Sequence, residues 1–142
     1  VVSMNYLRAA FLSTGKSWFL SLEADVLLRK ETLPLMFDIA GQATDDNIQV
    51  LHANCYPGFN ASAVICKTER ITMGCTLIHR EVLERLEFRY EPELLAAFHD
   101  AFFGHDAVAA GFKVYYTPFA ICDHAHDQQG HRGWQDLNPS EK

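Results

Sequence analysis

The chain has 142 residues, of which 49% are hydrophobic and 21% charged, a composition typical of one globular domain with a buried core and not of a disordered segment. Its net charge of -6 and its lack of a Lys/Arg block argue against binding to a nucleic-acid backbone. Because no apolar run approaches the roughly 20 residues that span a bilayer, we expect no transmembrane segment. No secretory signal pattern is recognisable either.

The cysteines indicate a compartment only weakly. Four of them are scattered among apolar neighbours without a C-x-x-C pair, which predicts reduced core thiols and, with them, a cytoplasmic location. They are Cys55, Cys66, Cys75 and Cys122. The chain starts at Val1 and enters a helical pattern almost at once, so we expect it to be part of a longer protein.

Helical and strand patterns alternate along the chain, which predicts an α/β domain over residues 1–142. Apolar residues at helical spacing (Tyr6, Leu7, Ala10, Phe11) predict a first helix that ends at Gly15. The apolar run 18–22 predicts a strand buried on both faces. Thr32 is expected to cap a short helix through Ile39, followed by Gly41.

The second half of the chain continues the alternation. Strands are predicted over 48–53 and 63–66, and a helix over 80–86 follows the apolar stretch that Gly74 interrupts. A strong helical pattern covers 93–110 and ends at Gly111. Residues 112–118 predict a strand that Pro118 stops, and a last short strand leads to His124. Residues 126–142 are then a histidine-containing tail.

Two carboxylates, Glu23 and Asp25, follow the first predicted strand. Strand alternation would point both in one direction, with Ala24 opposite. Converging carboxylates repel each other unless a proton or a cation lies between them, and a hard divalent metal ion is the natural partner. The alternative is a solvated strand end, or an ion pair with Arg29 or Lys30.

Two further residues carry candidate chemistry. Asp100 lies on a helix, where the dipole of a helix start would keep it ionised and suited to act as a base, unless it is simply a cap. His124 ends an apolar strand, and a site of mixed carboxylate and imidazole ligands suits Mn²⁺ as well as Mg²⁺.

These residues resemble those of a known family. The apolar strand ending in Glu23-Ala24-Asp25 is similar to the Asp-x-Asp strand of glycosyltransferase family 2-like enzymes of the GT-A fold. The segment 73–86 is similar to that family's glycine-containing segment and the helix after it. In register with the family's Glu-Asp pair and the motifs that follow it stand His99-Asp100, Phe103, Ala110-Gly111-Phe112-Lys113, Pro118 and His124.

The resemblance implies a partial GT-A fold, with a mixed sheet flanked by helices and the family's first βα units absent. It implies inverting, metal-dependent transfer of a sugar from a UDP- or GDP-sugar to an acceptor hydroxyl, with Mn²⁺ or Mg²⁺ as cofactor. Asp25 would ligate the metal that bridges the donor diphosphate, and Glu23 would face the ribose or the metal's outer shell. Asp100 would deprotonate the acceptor, and His124 would ligate the metal or contact the diphosphate.

The sequence departs from the family at two of these places, where Glu23 replaces an Asp and His99 replaces a Glu. Two other hypotheses therefore stay open. One is a truncated or degenerate transferase domain that acts in binding or assembly. The other is a zinc hydrolase built on His124, His126, Asp127 and His131, whose spacing differs from the usual hydrolase pattern.

Overall fold

The computed structural model describes residues 2–42, 47–55, 62–89 and 99–124. The elements in these ranges are α1 (Val2–Leu12), β1 (Trp18–Leu22), β2 (Val26–Leu28), α2 (Thr32–Gln42), β3 (Val50–Asn54), β4 (Cys66–Lys67), β5 (Cys75–His79), α3 (Arg80–Arg85), α4 (His99–Ala109) and β6 (Val114–His124).

The described strands form one mixed sheet in the order β1-β5-β3-β6-β2, and β4 also pairs with β6. β3 and β6 run parallel, whereas β1 and β3 each pair antiparallel with β5. β1, β3 and β6 therefore point in the same direction, and their carboxyl ends meet at one edge of the sheet. Ligand crevices of open α/β sheets form at that edge.

Two apolar clusters cover the two faces of the sheet. One contains Met36 and Ala40 of α2, and the other contains residues of α3 and α4, with Phe11 and Leu12 of α1 packed against it. Neighbouring strand residues alternate between the clusters: Val50 lies in the second and Leu51 in the first. This three-layer arrangement confirms the predicted α/β class, with a mixed sheet and flanking helices.

The structure corrects two predictions in the first 22 residues. The helix is present, but two of the four apolar residues that predicted it, Tyr6 and Leu7, are exposed, whereas Phe11 packs against the second cluster together with Leu12. The strand 18–22 is not buried on both faces. It is an end strand of the described sheet, its first three residues are half-buried and Leu22 is exposed.

The prediction that Pro118 ends a strand is wrong. β6 continues through Pro118 to His124 as one strand of 11 residues. Its pairing with β3 becomes irregular there, since His52 is opposite Tyr116 but Asn54 is opposite Ile121. A bulge tolerates a residue that has no N–H to donate, and the Asn54 side-chain amide donates to the Pro118 carbonyl.

Two helix boundaries also differ from the predicted ones. α2 continues past Ile39 and includes Gly41. The buried Thr32 hydroxyl accepts the Arg29 N–H and donates to the Ile121 carbonyl, so it ties α2 to β6 and does not cap the helix. Of the predicted helix 93–110, residues 93–98 lie outside the described ranges. No helix in the described part of the chain is long and apolar enough to cross a membrane.

A row of polar side chains crosses the sheet on the face of α3 and α4. Strand register places Ser21 beside Thr76, Thr76 beside His52, and His52 beside Tyr116. All four residues are buried. The Ser21 hydroxyl donates to the Met73 carbonyl, and the Thr76 hydroxyl donates to the Thr72 carbonyl and lies 3.4 Å from His52 Nδ1. These bonds link the sheet to the segment 72–73 that precedes β5.

His52 predicts a specific loss of stability in acid. Burial lowers its pKa to about 4, whereas the unfolded chain keeps a value near 6.5, so the unfolded state gains the proton first as the pH falls. We expect His52 to contribute about 2 kcal/mol to the loss of unfolding free energy between about pH 7 and pH 5. Urea denaturation of the wild type and of His52→Gln measures this share. Equal pH dependence in the two proteins would contradict it.

Two helical glycines form a matched pair for testing the packing of α4. A Cβ on Gly104 would collide with the backbone carbonyl of Glu69, whereas a Cβ on Gly41 would meet nothing within 4 Å. We expect Gly104→Ala to lower the free energy of unfolding by about 1 to 3 kcal/mol. Gly41→Ala should raise it by up to about 1 kcal/mol, because alanine favours the helix. Chemical denaturation checks both, and a gain for Gly104→Ala would show that α4 does not pack as described.

Candidate metal centre

The two predicted carboxylates lie in a tight turn and not along a strand. Glu23 is the first residue after β1, and Ala24 and Asp25 form the turn that leads to β2. The Val26 N–H donates to the Glu23 carbonyl at 3.1 Å, and the Glu23 N–H donates to the Gly74 carbonyl at 3.1 Å. The prediction that strand alternation aligns Glu23 with Asp25 is therefore wrong, and the turn brings their side chains together instead.

Pairing of β2 with β6 brings His124 to this turn. The two strands are antiparallel, with Val26 opposite His124, Leu27 opposite Asp123 and Leu28 opposite Cys122. Asp25 directly precedes the first paired residue of β2. A histidine about 100 positions further along the chain is thereby held beside the two carboxylates.

The three side chains form one compact cluster. His124 Nε2 lies 3.7 Å from Glu23 Oε2 and 3.7 Å from Asp25 Oδ2. One ligand atom from each residue lies within 4.8 Å of those of the other two. The His124 side chain is 8% exposed, whereas those of Glu23 and Asp25 are 47% and 37% exposed. The cluster is thus anchored on its histidine side and open to solvent on its carboxylate side.

The predicted alternative of an ion pair with Arg29 is excluded by geometry. Arg29 Nε donates to Asp123 Oδ2 at 3.0 Å, and Arg29 Nη2 donates to Asp123 Oδ1 at 2.6 Å. Both bonds go to the Asp123 carboxylate, so the Arg29 guanidinium does not pair with Glu23 or Asp25. It also clamps the end of β2 to β6 one residue before His124.

The ligand set fits a divalent metal ion. Two ligands at about 2.1 Å from an ion lie about 3.0 Å apart at right angles and about 4.2 Å apart when opposite. The two measured separations of 3.7 Å fall between these limits. Two carboxylates with one imidazole suit Mn²⁺, Mg²⁺ or Zn²⁺, so the donor atoms alone do not select the ion.

Behind the cluster lie three buried cysteines, Cys55, Cys75 and Cys122. All four cysteines of the chain are free, and Cys66 on β4 is half-buried and not a core residue as predicted. Hydrogen bonding with Cys122, together with burial, raises the pKa of the Cys55 and Cys75 thiols, so both stay protonated at neutral pH.

The carboxylate side of the cluster adjoins a cavity of about 260 Å³. Glu23 lines it together with apolar side chains of α1 and β1 and with Met73.

Asp100, the predicted base, lies on α4 and not on the turn or strand that carry the cluster. His99 and Asp100 open α4, and the Asp100 carboxylate accepts the N–H of Ala101 at 2.8 Å. Asp100 does not belong to the cluster of Glu23, Asp25 and His124. The close approach of Gly104 to Glu69 sets α4 against the strand-free segment that leads to Gly74.

Some residues of the sequence hypotheses lie outside the described ranges, and some residues near the site were not predicted to be there. His126, Asp127 and His131 of the zinc-hydrolase hypothesis, and the whole tail 126–142, lie outside the described residues. The sequence analysis named Arg29 only as a partner of the two carboxylates, not of Asp123, and it did not single out Thr72, which lies next to Gly74. Their polar side chains carry no motif, and only the pairing of β2 with β6 and the position of Gly74 relate them to Glu23.

Comparisons with known proteins identify a similar fold and give no information on function. No protein-family model and no curated protein matches the chain. Among solved structures, the chain is similar to the crystal structure of A197 from STIV, with a TM-score of 0.60 and 16% sequence identity. The match covers 89% of this chain and 67% of that chain. At this identity the likeness shows a shared fold alone.

If the ion pair of Arg29 with Asp123 holds β2 against β6, its loss should speed hydrogen exchange in β2. The ion pair of Arg89 with Asp106 provides a matched control. Arg89 makes the same fork to Asp106, at 2.6 and 3.1 Å, and the two pairs are about equally exposed. We expect Arg29→Gln to speed hydrogen exchange of the β2 amides by up to about fivefold, because exposed pairs contribute up to about 1 kcal/mol. Arg89→Gln should leave these amides unchanged. NMR measures these exchange rates. Equal rates for the β2 amides in the two variants would contradict a role of Arg29 in holding β2.

Proposed function

We propose that Glu23, Asp25 and His124 bind a divalent metal ion, Mn²⁺ or Mg²⁺, and that the chain carries the metal and diphosphate site of an inverting glycosyltransferase. The observation that carries the proposal is the cluster itself. Three residues from two distant parts of the sequence, the turn 23–25 and His124, have ligand atoms within 4.8 Å of one another. They do so at the carboxyl edge of the sheet, where ligands of α/β folds bind.

The finer fold that we propose is GT-A. The order of its features along the chain supports this assignment: an acidic turn after an apolar strand, a glycine segment before β5 and an acidic residue at the start of α4. The parallel direction of β1, β3 and β6 is consistent with it. UDP- and GDP-sugars are the proposed donors, and the acceptor is an unidentified compound with a hydroxyl group.

The roles of the residues follow from their positions. The exposed carboxylate side of the cluster would receive the donor, while the buried His124 fixes the place of the ion. When bound, the metal acts as a Lewis acid on the departing diphosphate. Asp25 and His124 would hold it, and the longer side chain of Glu23 would reach the ion or the ribose.

Asp100 would take the proton of the acceptor hydroxyl. Its carboxylate lies in the first turn of α4. A single base and no covalent nucleophile imply inversion at the sugar carbon. General-base catalysis of this kind contributes roughly 10²- to 10⁴-fold to a rate.

Calorimetric titration tests the metal site first. We expect Mn²⁺ to bind the wild type, and Asp25→Asn and His124→Gln to lose at least about tenfold in affinity, because each removes one of three ligands. Asp38→Asn removes the same charge from the exposed surface of α2 and should bind Mn²⁺ as the wild type does. Equal binding by Asp25→Asn and Asp38→Asn would contradict the site.

The same titration with UDP tests the transferase proposal. UDP should bind only with Mn²⁺ present, and this binding should vanish in Asp25→Asn but persist in Asp100→Asn, which would lose sugar transfer alone. Zinc binding that survives Asp25→Asn would favour the hydrolase hypothesis instead. Mn²⁺ binding without any nucleotide binding would favour the non-catalytic domain.

A further inference from the structure

β1 is an end strand of the described sheet, and its pairing with β5 shows which backbone groups face the open edge. The Ser17 carbonyl accepts the Arg80 N–H at 2.8 Å, and the Glu23 N–H donates to the Gly74 carbonyl at 3.1 Å. Bonded and non-bonded residues alternate along an antiparallel pair, so residues 17, 19, 21 and 23 bond to β5. The N–H and C=O groups of residues 18, 20 and 22 therefore point to the open edge.

This edge lacks the features that usually keep strand edges apart. β1 has the sequence WFLSL, which contains no charged residue and no proline. Exposed apolar side chains flank it on both faces of the sheet. On one face the Phe37 ring lies 6.3 Å from the Trp18 ring, and on the other Leu7 lines the cavity beside β1. Such an edge favours pairing with a further strand.

The charges at the two ends of β1 select the strand that fits. Glu23 follows the carboxyl end, and the exposed Lys16 precedes the amino end. The backbone of Lys16 is held in place, because its carbonyl accepts Arg80 Nη1 and its N–H donates to the Thr14 hydroxyl, each at 3.2 Å. None of the ion pairs between described residues includes the Lys16 ammonium group. Two antiparallel copies of β1 would therefore be complementary in charge at both ends.

We propose that two copies of the chain pair through β1 about a two-fold axis at Leu20, and that Lys16 of each copy lies beside Glu23 of the other. In this register Leu20 faces Leu20 and Trp18 faces Leu22, so all outward N–H and C=O groups of both strands bond to each other. Glu23 then faces Ser17 of the other copy, directly next to its Lys16. The contact uses the same surface on both copies and closes the assembly as a dimer. Each metal-ligand cluster thereby receives a cation from the other copy at its exposed carboxylate side.

Sedimentation equilibrium and amide hydrogen exchange of the full chain test the dimer and its interface. We expect the wild type to dimerise, and the amides of residues 18, 20 and 22 to exchange more slowly as the protein concentration rises through the dissociation constant. The amides of residues 19 and 21 should slow less, because β5 already bonds them. A protein that is monomeric at about 1 mM overturns the proposal. So does a dimer in which residues 18, 20 and 22 gain no protection.

Three variants test the contacts. Leu22→Pro removes an N–H that faces the open edge and not β5, a place where strands tolerate proline, and should weaken the dimer at least about tenfold. Lys16→Glu should weaken it about tenfold at low salt and less in about 0.5 M NaCl, which screens charges. Lys30→Glu makes the same charge change at another exposed lysine and should dimerise like the wild type. Equal dimerisation of the two lysine variants overturns the placement of Lys16, whether or not Leu22→Pro folds.

Discussion

The pairing of the three-residue strand β2 with the end of β6 is the contact on which the candidate site depends. Without it, His124 would have no fixed relation to a turn that lies about 100 residues earlier in the chain. Ordering so distant a pair costs chain entropy, and three strand residues alone stabilise little. The fork of Arg29 on Asp123 and the bond of the Thr32 hydroxyl to the Ile121 carbonyl reinforce the pairing from one side. The position of His124 beside the turn therefore depends on contacts made by neighbouring residues, and not on contacts of the three candidate ligands alone.

A second constraint acts through β6. The strand must pair with β3 and β4 through its first half and with β2 through its last three residues. Pro118 lies between these halves and has no N–H for a regular ladder. The irregularity opposite residues 52–54 accommodates the proline, so the strand need not end. An uninterrupted β6 carries His124 from the sheet interior to the carboxyl edge, where the turn after β1 also ends.

The sequence predicted the elements that a local hydrophobic pattern specifies, and it did not predict the features that depend on contacts between distant parts of the chain. Hydrophobic patterning identified α3 and the strands β1, β3 and β6, whereas it did not predict β2 or β5, and the predicted strand 63–66 shares only Cys66 with β4. It failed at Pro118, because β6 itself is irregular there: its residues 116–121 lie opposite only 52–54 of β3, and no local pattern marks this. In α1 the apolar Tyr6 and Leu7 are exposed, while polar residues make contacts to the chain after α3: Arg8 donates to the Leu83 carbonyl, and Asn5 exchanges two bonds with the Phe88 backbone. Glu23, Asp25 and His124 could be singled out by residue type, but their meeting depends on a strand pairing that no local pattern shows.

The uneven burial of the cluster bears on the kind of site that it can be. Structural metal sites surround the ion with protein ligands, whereas sites that work on a ligand keep coordination positions open. Within the described part of the chain three protein groups converge, and Mg²⁺ or Mn²⁺ prefers about six ligands in all. The buried imidazole would hold an ion at the back, and the half-exposed carboxylates would leave its front to solvent or to a ligand. This uneven burial favours a centre that binds and exchanges ligands over one that only stabilises the fold.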